Sequence, residues 1–192
     1  MQDIIINTLK ESIAVKDASI KKNLDLIEKG ADRLAECLAS GHKILIFGNG
    51  GSAADAQHIA AEMVNRFRIE RSPLAAIALT TDTSIITSIG IDYNFDEIFT
   101  KQLRALGNAN DIAWGISTSG NSENVLKAAR EAKQIGMFTM AMTGRGGQLA
   151  AVADLSLKVS SDNTARIQET HITMAHILCD LVERILFPQA QQ

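Results

Sequence analysis

Between residues 2 and 39 apolar side chains return every three or four positions, as at Leu24, Ile27, Ala31, Leu34 and Leu38. That period is the stripe of an amphipathic helix. The pattern predicts two leading helices that break near Gly41. From Lys43 the grammar changes. Short, almost continuously apolar runs follow one another: KILIF (43–47), LAAIAL (74–79), DIAWGI (111–116), MFTMAM (137–142) and ADLSLKV (153–159). The first four end in the polar turns GNGGS, TTDTS, STSGNS and TGRGG, and helix-like stretches such as ENVLKAAREAKQIG lie between runs. Strands apolar throughout are buried on both faces, as in a parallel sheet covered by crossover helices. The expected fold is therefore α/β, a doubly wound parallel sheet of five strands. It carries an N-terminal helical extension and a long C-terminal helix, about Thr164 to Leu186, which Pro188 ends. Residues 1–40 read as helices for oligomerisation and 41–192 as the sheet domain. Neither a Gly/Ser- or Pro-rich linker nor a solenoid repeat interrupts them.

Composition narrows the class without naming an activity. The 192 residues are 46% hydrophobic and 21% charged, the balance of a globular protein. A net charge of −3 provides no field to draw nucleic acid or an anionic membrane. The longest apolar run, Leu74 to Leu79, is too short to span a bilayer, and MQDIIINTLKES lacks the regions of a secretion signal. Cys37 and Cys179 lie in helix-like segments and read as two buried thiols in a reducing compartment, so the expected location is the cytoplasm. Trp114 and Tyr93 read as packing residues.

The polar turns follow strand carboxyl ends, the edge where open parallel sheets bind ligands. One of them alone is only a well-capped βα turn; three on one edge point to a site. Ser117-Thr118-Ser119-Gly120-Asn121-Ser122 sets four hydroxyls and an amide around a glycine just before a helix. Hydroxyls, backbone N–H groups and a positive helix end make an anion cradle. It holds no Lys or Arg, which suits a phosphate monoester that is held rather than transferred. Gly48-Asn49-Gly50-Gly51-Ser52 is not a dinucleotide fingerprint: Ala53 takes the last glycine's place, and Glu70 precedes the second strand. Its glycines let backbone approach a sugar, with Asn49 and Ser52 placed to bond hydroxyls. His58 and Glu62, four apart on the next helix, share a face and can meet one divalent metal. Alone that pair reads equally as a solvated ion pair. Gln168 and His176 share the last helix, about 12 Å apart along its axis. Either one of them meets only substrate, or the site draws on two subunits. A buried structural role for His176 stays open. His42 and His171 receive no chemical role.

Together, GNGGSAADAQHIAAE, LTTDTS, GISTSGNSENV, TGRGG and ARIQETHITMAHIL resemble the sugar isomerase (SIS) family, and within it the phosphoheptose isomerases. The resemblance implies an aldose-ketose isomerase that converts sedoheptulose 7-phosphate to D-glycero-D-manno-heptose 7-phosphate through an enediol, the first step towards the ADP-heptose of the lipopolysaccharide core. It implies a homotetramer with sites between subunits, and one zinc per subunit on His58, Glu62, Gln168 and His176. The implied substrate contacts are Asn49, Gly50, Gly51, Ser52, Glu62, Asp92, Ser117, Thr118, Ser119, Ser122 and Gln168. Glu62 is the expected base and His176 the expected acid. The family usually has Asn-Asp where this chain has Ile91-Asp92. A non-catalytic relative binds the bacterial replication initiator, and its carboxyl end resembles LCDL and LFP here. That relative lacks the Glu of the His-x3-Glu pair and the last His; this chain has both, which favours the enzyme. Sugar-phosphate-sensing regulators carry a DNA-binding segment in front, for which the 40 leading residues are too few and too acidic.

Overall fold

The computed structural model describes residues 1–191 of the chain, so the last residue of the expected 41–192 unit lies outside the described residues. Five parallel strands form one sheet in the order β2-β1-β3-β4-β5. They are β1 (Ile44–Gly48), β2 (Ala76–Ala78), β3 (Ile112–Ser117), β4 (Phe138–Thr143) and β5 (Leu155–Lys158). The helices are α1 (Gln2–Lys22), α2 (Leu24–Ala39), α3 (Gly51–Val64), α4 (Thr83–Asp92), α5 (Ile98–Leu106), α6 (Glu123–Ile135), α7 (Gln148–Val152) and α8 (Thr164–Leu186). Each expected strand forms within two residues of the ends of its apolar run, and α8 spans the expected range.

Alternate residues of each central strand enter opposite cores. Ile44, Ile46, Trp114, Met140 and Leu157 join Leu34 of α2, Ile59 of α3 and Leu178 of α8 on one face. Leu45, Phe47, Ala113 and Ala141 join Phe99 and Leu103 of α5 and Val125 of α6 on the other. That two-sided burial is why the strands lack a polar alternation. It also places α2 in the same core as the sheet, and Asn23 forms the joint between α1 and α2. The Asn23 amide donates to Ser19 O (2.6 Å) and Lys158 O (2.9 Å), pinning the joint to β5.

Three elements lack a counterpart in the sequence expectation: α4, α5 and α7. The β-branched, glycine-containing TSIITSIGID of α4 is a poor helix former, yet Asp82 caps it by accepting the Ile85 N–H (2.9 Å). Tyr93 corrects another expectation. It is 62% exposed, with Lys101 Nζ 3.3 Å from its ring centre, whereas Trp114 is fully buried as expected. Both cysteines are unpaired and buried, and burial pushes the thiols of Cys37 and Cys179 up to about 11 and about 12. No helix among the described residues is long and apolar enough to cross a membrane.

The chain leaves β1 towards β2 on one side and enters β3 on the other. The crevice at the carboxyl ends of β1 and β3 is therefore the switch point of the sheet, where such folds bind ligands.

Candidate active site

At the end of β3 the chain turns through 118–122 before α6 begins. Ser117 is buried and its Oγ lies 2.9 Å from Ser122 Oγ and 3.5 Å from Ser119 Oγ. Ser119 Oγ accepts the Asn121 N–H (3.1 Å). Ser122 occupies the N-cap of α6 without a side-chain capping bond, so its hydroxyl is turned to its serine neighbour instead. Gly120 has φ +68, and a Cβ there would collide with the Gly146 carbonyl. Only glycine allows this close passage of the loops after β3 and β4. Two backbone bonds lock it, Gly144 N to Thr118 O and Leu149 N to Gly120 O, both 2.9 Å. The hydroxyls thus cluster at a helix N-terminus, the geometry that receives an anion.

The loop after β1 faces this cradle. Gly50, at φ +55, precedes α3 in a conformation that other residues rarely adopt. Asn49 and Asn124 exchange two amide hydrogen bonds, 2.8 and 2.9 Å, which clamp the loop to the first turn of α6. Ser52 is 3% exposed, tucked beneath the loop against Gly48. A Cβ on Gly51 would collide with the Gln168 amide, so the start of α8 also closes on this loop.

Further along, α3 and α8 bring their titratable groups together. His58 Nε2 lies 2.8 Å from His176 Nε2 and 3.4 Å from Glu62 Oε1. The Phe67 ring packs on the His176 imidazole with centroids 5.3 Å apart. Burial lowers the His176 pKa, the His58 charge lowers it further, and Glu62 acts in the opposite sense. Asp55, one turn before His58, has a buried Oδ2 without a hydrogen-bond partner, and burial raises its pKa while His58 opposes the rise. His171 is different: it is fully buried and bonded through Nε2 to Thr143 O (3.1 Å).

The structure therefore joins the expected residues into two groups. Asn49, Gly50, Gly51, Gln168, Ser117, Thr118, Ser119 and Ser122 surround the crevice at the sheet edge. His58, Glu62 and His176 stand together about two helical turns farther along, since His58 follows Gly51 by about 10 Å of helix rise. Within one chain the Gln168 amide, set against Gly51, is not among the latter three. Asp92 ends α4 with an exposed side chain, and no hydrogen bond or ion pair among the described residues ties it to either group.

Two imidazoles and a carboxylate are a zinc-type donor set, and His58 Nε2 lies close to both of its partners. Their fit is chemical rather than fully formed. Among the described residues no group of three or more His, Cys, Asp or Glu stands ready to hold a metal ion. The two Nε2 atoms are at hydrogen-bonding distance, whereas two nitrogens on a tetrahedral zinc stand about 3.3 Å apart.

Asn124, beside the loop after β1, and Asp55, one turn before His58 on α3, are polar residues that the motifs did not single out. Asn124 follows the N-cap of α6 inside an ordinary helical pattern, and only its long-range pairing with Asn49 reveals it.

Comparison with known proteins adds an independent line. A family model described as SIS domain matches residues 9–144. The phosphoheptose isomerase of Nitratidesulfovibrio vulgaris strain Hildenborough is 54% identical over 185 residues, 96% of this chain and 89% of its own. Among solved structures, the phosphoheptose isomerase of Neisseria gonorrhoeae is 47% identical with a TM-score of 0.90, and covers 95% of this chain and 98% of its own. That of Francisella tularensis is 42% identical with a TM-score of 0.92 over the same shares. With the fold, the cradle and the motifs all in place along its length, this chain belongs to the SIS domain family and, within it, to the phosphoheptose isomerases.

Proposed function

We propose that this protein interconverts sedoheptulose 7-phosphate and D-glycero-D-manno-heptose 7-phosphate. The carrying observation is the convergence of Glu62 and His176, from two helices, beside a crevice whose far end is a hydroxyl cradle. The full-length relationship to phosphoheptose isomerases supports the same substrate. It disfavours the non-catalytic alternative, the protein that binds the replication initiator.

A ketose becomes an aldose when a proton leaves C1 and one returns at C2, while O2 gains a proton and O1 loses one. Glu62 takes the C1 proton on its carboxylate and delivers it to C2 of the enediol. His176 moves the hydroxyl protons, giving one to O2 and taking one from O1, in the state in which its ring nitrogen is not held by a metal. Its lowered pKa keeps a neutral imidazole available for both transfers near pH 7. The cradle of Ser117, Thr118, Ser119 and Ser122 anchors the phosphate, with Asn49 and the Gly50-Gly51 backbone along the sugar. Ser52, Asp92 and Gln168 complete the assignment of substrate contacts. Binding energy at the phosphate then orients the carbons that react.

The donor set His58, Glu62 and His176 would hold one zinc per subunit, with Gln168 the fourth residue assigned to it. The ion would supply Lewis-acid polarisation of the substrate carbonyl. We further assign a cytoplasmic homotetramer with sites completed between subunits. Ile5, Leu9 and Ile13, one stripe of α1, are each more than half exposed, and Asp92 and Gln168 stand apart from the His58 group in one chain. The two unpaired cysteines agree with a reducing compartment.

Proton NMR of the purified protein with sedoheptulose 7-phosphate tests the reaction: the aldehyde-derived anomeric signals should grow in. No turnover, with or without added zinc, rejects the assignment. Light scattering tests the assembly, where a monomer at micromolar concentration rejects the tetramer.

A further inference from the structure

Behind the acid–base pair lies a buried cluster that the reaction as described does not use. After α3 the chain crosses to α8 through residues 65–72. Glu183 of α8 accepts hydrogen bonds from the backbone N–H groups of Phe67 (2.8 Å), Arg68 (2.9 Å) and Ile69 (3.3 Å). The same carboxylate takes Arg71 Nε at 3.0 Å, and the side chains of the pair are only 1% and 3% exposed. These donors hold the Glu183 carboxyl below the usual carboxylate range against its burial. Arg71 then reaches the far end of α3, donating from Nη2 to Glu62 O (2.8 Å) and from Nη1 to Met63 O (2.7 Å).

Each arm of this cluster ends on a group of the site. Arg71 binds the backbone of Glu62 itself. The bonds of Glu183 fix the backbone at Phe67, whose ring lies on the His176 imidazole. Glu183 follows His176 by seven residues, about two turns along the same face of α8. The carboxylate therefore gauges the separation of α3 and α8 where Glu62 and His176 face each other. A buried ion pair is weak evidence for stability, because desolvation offsets its attraction. A rigid connection to two reacting groups is a better account of an arginine and a carboxylate held dry at this spot.

We propose that Phe67, Arg71 and Glu183 are positioning residues of the isomerase. They set the distance and ring orientation between Glu62 and His176 without touching substrate. The proposal rests on the assignment of those two residues as base and acid.

Steady-state kinetics of Phe67→Leu, Phe67→Tyr and Glu183→Gln test it, each paired with a thermal melt. Displacing a reacting group by about 1 Å can cost on the order of 100-fold in rate. Phe67→Leu keeps an apolar side chain but loses the flat face. Its kcat should fall at least about tenfold, with KM within about threefold of the parent, because the cradle is untouched. Phe67→Tyr retains the ring and should restore kcat. Glu183→Gln should lower kcat in the same KM-neutral way. If that variant fails to fold, the Phe67 pair still decides. A Phe67→Leu protein that is folded and turns over at the parent rate overturns the proposal. So does a rise in KM at constant kcat, or a kcat loss that only follows the loss of folded protein. A parent protein inactive on sedoheptulose 7-phosphate would reject the isomerase assignment itself. Parent turnover with unaffected variants rejects the positioning role alone.

Discussion

In the loop after β3, Ser117, Ser119 and Ser122 lie within six residues of one another and bond among themselves. Between α3 and α8, His58 and His176 stand 118 residues apart in sequence and meet only because the two helices pack side by side. The first is a local turn held by backbone bonds and by a glycine that no other residue can replace. The second is a product of helix packing, with His58 half exposed and an Asp55 oxygen buried without a partner. A phosphate can be recognised by whatever a single tight loop offers. Moving protons between two carbons needs groups on opposing walls, and those come only from separate elements.

The largest effect should come from the reacting end. Glu62→Gln or His176→Asn should lower kcat by at least about 1,000-fold while leaving phosphate binding in place. Deuterium exchange at C1, followed by NMR, checks it; exchange at the parent rate in Glu62→Gln would exclude the carboxylate as base. Next comes the acid stability of the α8 anchor. Burial lowers the His171 pKa to about 4, against an ordinary 6.5. The unfolded chain therefore binds the extra proton as pH falls from 6.5 towards 4, so the stability is fully present above 6.5 and lost through that window. The linked change is of order 3 kcal/mol at most. Urea midpoints between pH 7 and 4.5 should fall in the parent and flatten in a folded His171→Gln protein.

At the cradle, on the assignment proposed above, Ser119→Ala and Ser122→Ala should each remove a hydroxyl bond to a charged phosphate, about 1.5–3 kcal/mol or roughly tenfold to a hundredfold in affinity. Ser122 makes no capping bond, so Ser122→Ala should cost the fold only its bond to the Ser117 hydroxyl. Calorimetry with the sugar phosphate reads the affinity. Normal binding with an early melt would reduce both serines to local structure and dissolve the contrast between the two ends. The smallest structural effect belongs to His58→Ala. It should reduce zinc uptake, measured by elemental analysis, while the assembly and fold persist. Equal activity of metal-stripped and zinc-restored parent protein would remove zinc from the reaction.

Local patterns along the chain announce the five strands, the turns between them, α8 and the run of hydroxyls after β3. Each depends on neighbours a few residues apart: apolar runs for β1, β3 and β4, and hydroxyls around Gly120 for the loop before α6. Those patterns miss α4, where β-branched residues and a glycine oppose helix propensity and the Asp82 cap with packing on α5 prevails. Spacing on one helix showed that Gln168 and His176 are poorly placed to share one site, but not where either goes. Only the tertiary structure set Gln168 against Gly51 and His176 against His58. The same holds for Asn49 with Asn124 and for Arg71 with Glu183. A hydrogen bond across 75 or 112 residues leaves no periodic trace in the chain. Its partners are fixed by how helices dock on the sheet, a property of the whole packed core.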